Sequence, residues 1–210
     1  MQGKFRLALM TLAVVGLLAG VLAISSNVFA GVSAAAKDNV PVFDLTDHGV
    51  VVMNPQNRGT SDLVRTVDGI SMNIDTSDLP IGANSVWWVI FNDPSKCSNG
   101  ECGENDVLPP PGNVSAGVSV FWAGIGAIVG PDRMAHFSSS LGLGEESAPG
   151  EFLWGPGLTN PLGAEVHLIV RYHGPAQWED PVALTEQIST FGGSCDLFEC
   201  YDVQAAIHKP

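Results

Sequence analysis

Residues 85–91 have the sequence Ser-Val-Trp-Trp-Val-Ile-Phe, in which every residue after the serine is aromatic or β-branched. Such a run favours a strand that is buried on both faces, because these side chains pack well on a pleated surface. Asn92, Asp93 and Pro94 follow it, and these residue types favour a turn. The segment therefore predicts a central strand of a β-sheet.

Shorter apolar segments surround this strand, separated by Gly, Pro, Asn and Asp. Ile70, Met72 and Ile74 alternate with polar residues, which is typical of a half-buried strand. Further short strands or apolar segments are predicted at residues 50–53, 118–122, 127–129, 134–138, 152–154, 164–172 and 205–207. One helix is predicted, at residues 181–189. Residues 41–210 therefore predict a single all-β domain, an antiparallel β-sandwich of Greek-key or immunoglobulin-like type with long loops.

The N-terminus has the pattern of an export signal. Residues 1–30 combine Lys4 and Arg6 with a long apolar run and a Val-Phe-Ala ending, which predicts a signal peptide cleaved after Ala30. An uncleaved anchor is the alternative, because the apolar run is just long enough to span a bilayer. Residues 31–40 are small and patternless and predict a flexible segment. We expect a secreted or periplasmic protein that is free of the membrane after cleavage.

Composition limits the classes of partner. The 210-residue chain is 45% hydrophobic and 15% charged, which excludes a disordered chain. Its formal charge is −13, and removal of residues 1–30, with two basic and no acidic residues, leaves −15. Nucleic acids and anionic membranes need basic surfaces, so neither is expected as a partner. An extracellular protein, a small ligand or a cation is compatible with this charge.

The four cysteines form two pairs with the same spacing, Cys97 with Cys102 and Cys195 with Cys200. Export permits disulfides, and four cysteines allow three pairings. The most economical pairing joins the neighbours, so that each bridge closes a small loop. A zinc site remains the alternative, although zinc more often takes cysteines two residues apart. No cysteine would be left over as a catalytic thiol.

The predicted strand at residues 164–172, together with the histidine that follows it, is a candidate metal site. Four polar residues share one face of it by alternation: Glu165, His167, Arg171 and His173. The two histidines can ligate a transition metal if a third ligand, for which His136 is a candidate, comes from a neighbouring strand. The alternative is a solvent-facing polar row in which Arg171 pairs with a carboxylate.

The loop around the first cysteine pair is a second candidate site. It carries four acids within fourteen residues: Asp93, Glu101, Glu104 and Asp106. Calcium takes six to eight oxygen ligands, which loops of extracellular modules supply, although this spacing is not that of an EF-hand. Ordinary solvated acids are the alternative. The chain has neither a G-x-S-x-G nor an H-E-x-x-H motif, so no catalytic residue is assigned.

Residues 171–176, Arg-Tyr-His-Gly-Pro-Ala, precede Pro181 by a few positions. They resemble the His-Gly-Pro-Ala strand and turn of CHRD domains, the β-rich module first described in chordin. Arg171 and Tyr172 depart from that pattern, which has small residues or histidine there. The resemblance implies an extracellular β-sandwich and supplies no catalytic residues.

The mature chain is also similar to a group of uncharacterised secreted bacterial proteins. The marks of this second resemblance lie at residues 86–92, 155–159, 163–167 and 200–204. It brings no activity with it.

The expected function is therefore an exported, non-enzymatic module that binds a partner, a ligand or a cation. The alternative is a metal-dependent enzyme that uses a histidine cluster on the strand at residues 164–173. That alternative requires His136, His167 and His173 to converge within about 4–5 Å, because each ligand atom must lie about 2.1 Å from one ion.

Overall fold

The computed structural model describes residues 36–45, 56–145 and 151–210. These residues form nine strands: β1 Ala36–Asp44, β2 Asn57–Thr66, β3 Gly69–Thr76, β4 Gly82–Phe91, β5 Val118–Val129, β6 Ala135–Gly142, β7 Phe152–Trp154, β8 Glu165–Tyr172 and β9 Tyr201–His208. They also form two α-helices, α1 Glu104–Val107 and α2 Pro181–Ser189. The predicted signal peptide and the predicted strand at residues 50–53 lie outside them. No helix within the described ranges is long and apolar enough to cross a membrane.

All nine strands belong to one sheet, in the order β6-β3-β2-β1-β9-β8-β4-β5-β7. Every pairing is antiparallel, as predicted. The Ser139 hydroxyl in β6 donates to the Ala123 carbonyl in β5, so strands near opposite ends of the order meet and the sheet is curled. The all-β prediction is therefore confirmed. The two separate sheets of a sandwich are not confirmed, because the strands pair continuously.

The inside of the curl holds the main apolar core. Trp88, Phe121 and Phe137 are each at most 1% exposed there, and every strand from β1 to β6 contributes to the cluster, together with β8 and β9. Strand β4 is buried along its whole length, as its sequence predicts. Trp87 points away from the core and is covered by Phe191, whose ring lies edge-on at 5.1 Å.

A second, smaller apolar cluster lies on the outer face of β4 and β5. It consists of Val89, Phe91, Cys97, Ala116, Val118 and Val120. The loop closed by Cys97 and Cys102 covers this face, which explains why β4 is apolar on both sides. The loop is thereby fixed against the sheet.

Strand β1 corrects the prediction of a flexible segment at residues 31–40 for its second half, whereas residues 31–35 lie outside the described residues. Residues 36–40 are strand, because they pair with residues 61–65 of β2. On its other side, β1 pairs with β9 only through Phe43 and Asp44. The first half of β1 therefore diverges from β9, and this split opens a cleft in the sheet.

The predicted helix at residues 181–189 is confirmed as α2. Pro181 occupies its first turn, where a missing N–H costs nothing. The Asp180 carboxylate accepts hydrogen bonds from the backbone N–H groups of Val182 and Ala183, which caps the helix.

Candidate binding cleft

Both short-loop disulfides are present, Cys97–Cys102 and Cys195–Cys200. The most economical of the three pairings is therefore confirmed, and no cysteine of the chain is free. The first bridge borders the cleft beside β1, and the second lies close to His173.

Asp106 organises the first disulfide loop from within. Its carboxylate is 1% exposed and accepts hydrogen bonds from the backbone N–H groups of Ser98 and Gly103 and from the Asn113 amide. Burial alone would raise the pKa of Asp106, but these hydrogen bonds outweigh it and the pKa is lowered. Asp106 is therefore a structural group of the loop, turned away from solvent.

Replacement Asp106→Asn is expected to lower the free energy of unfolding by about 2 kcal/mol, because the new amide N–H₂ faces groups that also donate. Urea denaturation followed by circular dichroism measures the difference. Glu104→Gln, an exposed acid of the same loop, is the control and is expected to change stability little. Equal stability of the two variants would contradict the role of Asp106.

The other three predicted calcium ligands are exposed. Asp93 accepts a hydrogen bond from the Ser95 hydroxyl, and it does not line the cleft. Glu101 and Glu104 do line it. One of the four acids is therefore buried, one lies in solvent and two line the cleft. Calcium binding stays a prediction.

The cleft has a volume of about 780 Å³ and is bounded by β1, β8, the end of β9 and the first disulfide loop. Its acidic lining residues are Asp38, Glu101, Glu104 and Glu165. Apolar walls come from Val40, Pro41, Phe43 and Ile207, and Lys209 is the basic residue of the lining. The cleft therefore combines an apolar wall with an excess of negative charge.

A buried, hydrogen-bonded pair of polar side chains forms the floor of the cleft. His167 Nε2 lies 2.7 Å from Glu165 Oε1, and the two residues are 7% and 6% exposed. The His167 ring also packs against Phe91, with 4.9 Å between ring centroids. The prediction of a solvent-facing row is wrong for these two residues, because both are buried at the bottom of the cleft.

Arg65 lies behind the floor, where both Asp38 and Glu165 attract its charge. Even with Arg65 and Lys209 counted, the four carboxylates leave the cleft negative. Charge in a concave, partly apolar site acts over a lower dielectric than in water, so its effect on a ligand is increased.

The remaining polar residues of the predicted strand face have separate partners. Arg171 pairs with the Asp202 carboxylate at 2.8 Å, as the polar-row alternative predicts. Its guanidinium also lies 3.9 Å from the centre of the Phe191 ring, which favours a cation–π interaction. Arg171 is therefore held by Asp202 at the start of β9 and by Phe191 in the segment that precedes β9.

The three histidines of the predicted metal site do not form one ligand group. His136 is exposed in β6 and pairs with Asp75 at 2.8 Å, whereas His167 lies in the cleft and His173 is fully buried. Among the described residues, the one group of three potential ligands within 4.8 Å of one another is His173, Cys195 and Cys200. The hypothesis of a metal-dependent enzyme therefore lacks the convergence of His136, His167 and His173 that it requires.

A different trio has the order of a hydrolase triad. Ser61 Oγ lies 2.9 Å from His208 Nε2, and His208 Nδ1 lies 2.9 Å from Asp38 Oδ2. Ser61 and His208 are both 0% exposed, however, so no substrate can reach the hydroxyl. The trio satisfies the hydrogen bonds of a buried imidazole, and it joins β1, β2 and β9 at the end of the core.

No protein-family model matches this chain, and no curated protein is significantly similar to it in sequence. The resemblance to CHRD domains therefore stays a prediction. In the structure, its residues 171–176 lie at the end of β8 and in the turn beyond, where Gly174 has a φ of +88°. A side chain there would collide with Phe198, so the turn requires glycine.

Proposed function

We propose that this protein is an exported, non-enzymatic binding module whose ligand occupies the cleft between β1, β8 and the first disulfide loop. The observation that carries the proposal is the buried Glu165–His167 pair on the cleft floor, with Glu101 and Glu104 opposite it on the loop. Buried ionisable side chains that line a cavity are uncommon in a fold unless a ligand or a structural partner requires them.

The composition of the cleft defines the chemistry of the ligand. Its carboxylates favour an ammonium or guanidinium group, which donates several charge-assisted hydrogen bonds. Val40, Phe43 and Ile207 favour an apolar body next to that group. The proposed ligand is therefore a small organic cation with an apolar portion.

Export is supported by the two disulfides, which persist in oxidising compartments. It is also compatible with the sequence pattern of residues 1–30. The extracellular module implied by the CHRD resemblance agrees with this proposal. The sandwich topology that the CHRD resemblance implies is also part of this proposal.

The proposal is tested by calorimetric titration with phenethylammonium, an amine on an apolar body, and with hydrocinnamate, its carboxylate counterpart. We expect the amine to bind and the carboxylate not to bind, because the cleft repels anions. Replacement of Glu101 and Glu104 together by Gln should weaken amine binding at least tenfold, about 1.4 kcal/mol.

The matched control is the double replacement Glu179→Gln and Glu186→Gln, which removes the same charge from exposed positions in and beside α2. It is expected to leave the affinity unchanged. Equal binding of the amine and the carboxylate, or an equal loss in both double variants, would contradict the cleft as the site.

Calcium chloride alone, titrated into the same proteins, tests the cation prediction separately. Heat that disappears when Glu101 and Glu104 are replaced would assign the ion to the cleft. Binding that persists in that variant would assign the ion to another place and leave the cleft to the organic cation.

A further inference from the structure

His173 and the second disulfide are brought together by three different elements. The backbone N–H of His173 donates to the Ala83 carbonyl of β4, and the Gln187 amide of α2 donates to the His173 carbonyl. Cys195 and Cys200 come from the segment between α2 and β9. His173 is therefore held rigidly, while the two cysteines, which are partly exposed, lie on a loop beside it.

The imidazole presents one nitrogen to the sulfur atoms. His173 Nδ1 lies 3.9 Å from Cys200 Sγ, and the ligand atoms of His173, Cys195 and Cys200 all lie within 4.8 Å of one another. Ligands on a tetrahedral zinc ion, with Zn–S bonds of about 2.3 Å, are separated by roughly 3.5–4 Å. The distance from His173 Nδ1 to Cys200 Sγ meets that requirement. The two sulfur atoms are bonded to each other in the oxidised protein, and they must separate to that distance after reduction.

The other nitrogen of the imidazole already has the partner that a metal ligand needs. His173 Nε2 lies 2.8 Å from Ser85 Oγ, and the Trp87 indole N–H donates to the same oxygen. Histidines that bind metals through one nitrogen are oriented by a hydrogen bond at the other. Both Ser85 and Trp87 are buried, so this orienting pair is fixed.

We propose that reduction of the Cys195–Cys200 disulfide converts this group into a binding site for a thiophilic divalent ion, zinc, with two thiolates and His173 Nδ1 as ligands. Soft sulfur and imidazole ligands select such an ion over calcium or magnesium. Three protein ligands leave a fourth position for solvent. The site is independent of the proposed binding cleft.

The conversion uses a dithiol as the reductant. The dithiol supplies two electrons and two protons, so that the S–S bond breaks, two cysteine thiols form and the dithiol becomes a disulfide. Zinc then displaces the two thiol protons, which pass to solvent. The neutral imidazole keeps its one proton on Nε2, where the N–H donates a hydrogen bond to Ser85 Oγ, so that Nδ1, which faces the Gly193 carbonyl in the oxidised protein, is free to bind the ion.

The first disulfide provides an internal control. Cys97 and Cys102 have the same spacing, but no group of three ligands that includes them occurs among the described residues. The two pairs therefore differ in the histidine and not in the cysteine spacing.

The test uses cobalt(II), which replaces zinc and gives thiolate charge-transfer bands and intense visible bands when it is tetrahedral. The full chain is reduced with a phosphine under anaerobic conditions, and cobalt(II) is then titrated into it. A variant with Cys97→Ser and Cys102→Ser should bind one cobalt per chain with both sets of bands. A variant with Cys195→Ser and Cys200→Ser should show neither, and the oxidised protein should show neither.

The contribution of His173 is measured in the variant that lacks Cys97 and Cys102. Replacement His173→Asn should weaken cobalt binding at least tenfold. A second measurement leaves His173 in place and therefore does not alter the core. The NMR chemical shifts of its imidazole nitrogens are recorded before and after zinc is added, and a large change at Nδ1 is expected. The proposal is overturned if both cysteine pairs give the same bands, or if neither measurement involves His173.

Discussion

Replacement Arg65→Ala is expected to lower the free energy of unfolding by about 3–5 kcal/mol. The Arg65 side chain is 4% exposed and donates to the backbone carbonyls of Pro161, Ala164 and His208, with a longer contact to Lys209. Alanine leaves these buried acceptors without donors and opens a cavity between β2 and β9. Arg65 therefore holds the end of the last strand against the core.

Urea denaturation at neutral pH measures this loss. Arg65→Lys keeps the charge but not the forked guanidinium, so we expect an intermediate value. Lys37→Ala is the surface control, because Lys37 pairs with Asp62 in solvent and such pairs contribute at most about 1 kcal/mol. A loss in Arg65→Ala no greater than in Lys37→Ala would show that the buried guanidinium contributes little.

The same residues explain why β2 could not be predicted. Ser61, Leu63 and Arg65 point into the core, but two of the three are polar, so the strand lacks the alternation that marks β3 and β8. Their partners lie about a hundred residues or more away in the chain. Local sequence patterns contain no information about such distant hydrogen bonds, whereas they reveal β4 and α2 directly.

The cleft was predictable only in part. Alternation places Glu165 and His167 on one face of β8, and the sequence also brings Glu101 and Glu104 together in one loop. Their arrangement around one cleft depends on where the first disulfide loop lies relative to the sheet. Residues 31–40 have no apolar pattern, so Asp38 is not predicted, although it lies two residues before Val40 and four before Val42, on the less exposed side of the strand, which is a weak strand signal.

The metal prediction shows a related limit of the sequence. His167 and His173 lie on the same predicted strand face, but His173 falls just beyond the end of β8 and turns toward the segment before β9. The alternation of side chains along a single strand cannot predict that turn. The sequence signal for the observed group is the proximity of Cys195 and Cys200 to β9, the strand that pairs with β8.

Acidification is expected to destabilise the protein by about 3 kcal/mol between neutral pH and about pH 4 through His173 alone. Burial lowers the pKa of this histidine from 6.5 to about 4. Between these two pH values the His173 imidazole is therefore neutral in the folded protein but protonated in the unfolded chain. The stabilisation is complete above pH 6.5 and is lost as the pH falls from 6.5 toward 4. Burial also lowers the pKa of His208, which therefore acts in the same direction.

Asp106 adds a separate loss at lower pH. Its lowered pKa means that the folded state favours the carboxylate, so this contribution is present above pH 3.8 and disappears as the pH falls through the folded-state value. The histidine and carboxylate effects therefore occupy successive pH windows, which denaturation at several pH values can separate.

The His173 contribution is isolated by comparing the oxidised wild-type protein with His173→Gln across the same pH series. The variant keeps a hydrogen-bonding group beside Ser85 but has no proton to bind, so its stability should fall less between about pH 6.5 and pH 4. Its absolute stability at neutral pH does not enter the comparison, because only the slope with pH is used. Parallel slopes in the two proteins would mean that the buried imidazole is protonated in the folded state at the same pH as in the unfolded chain.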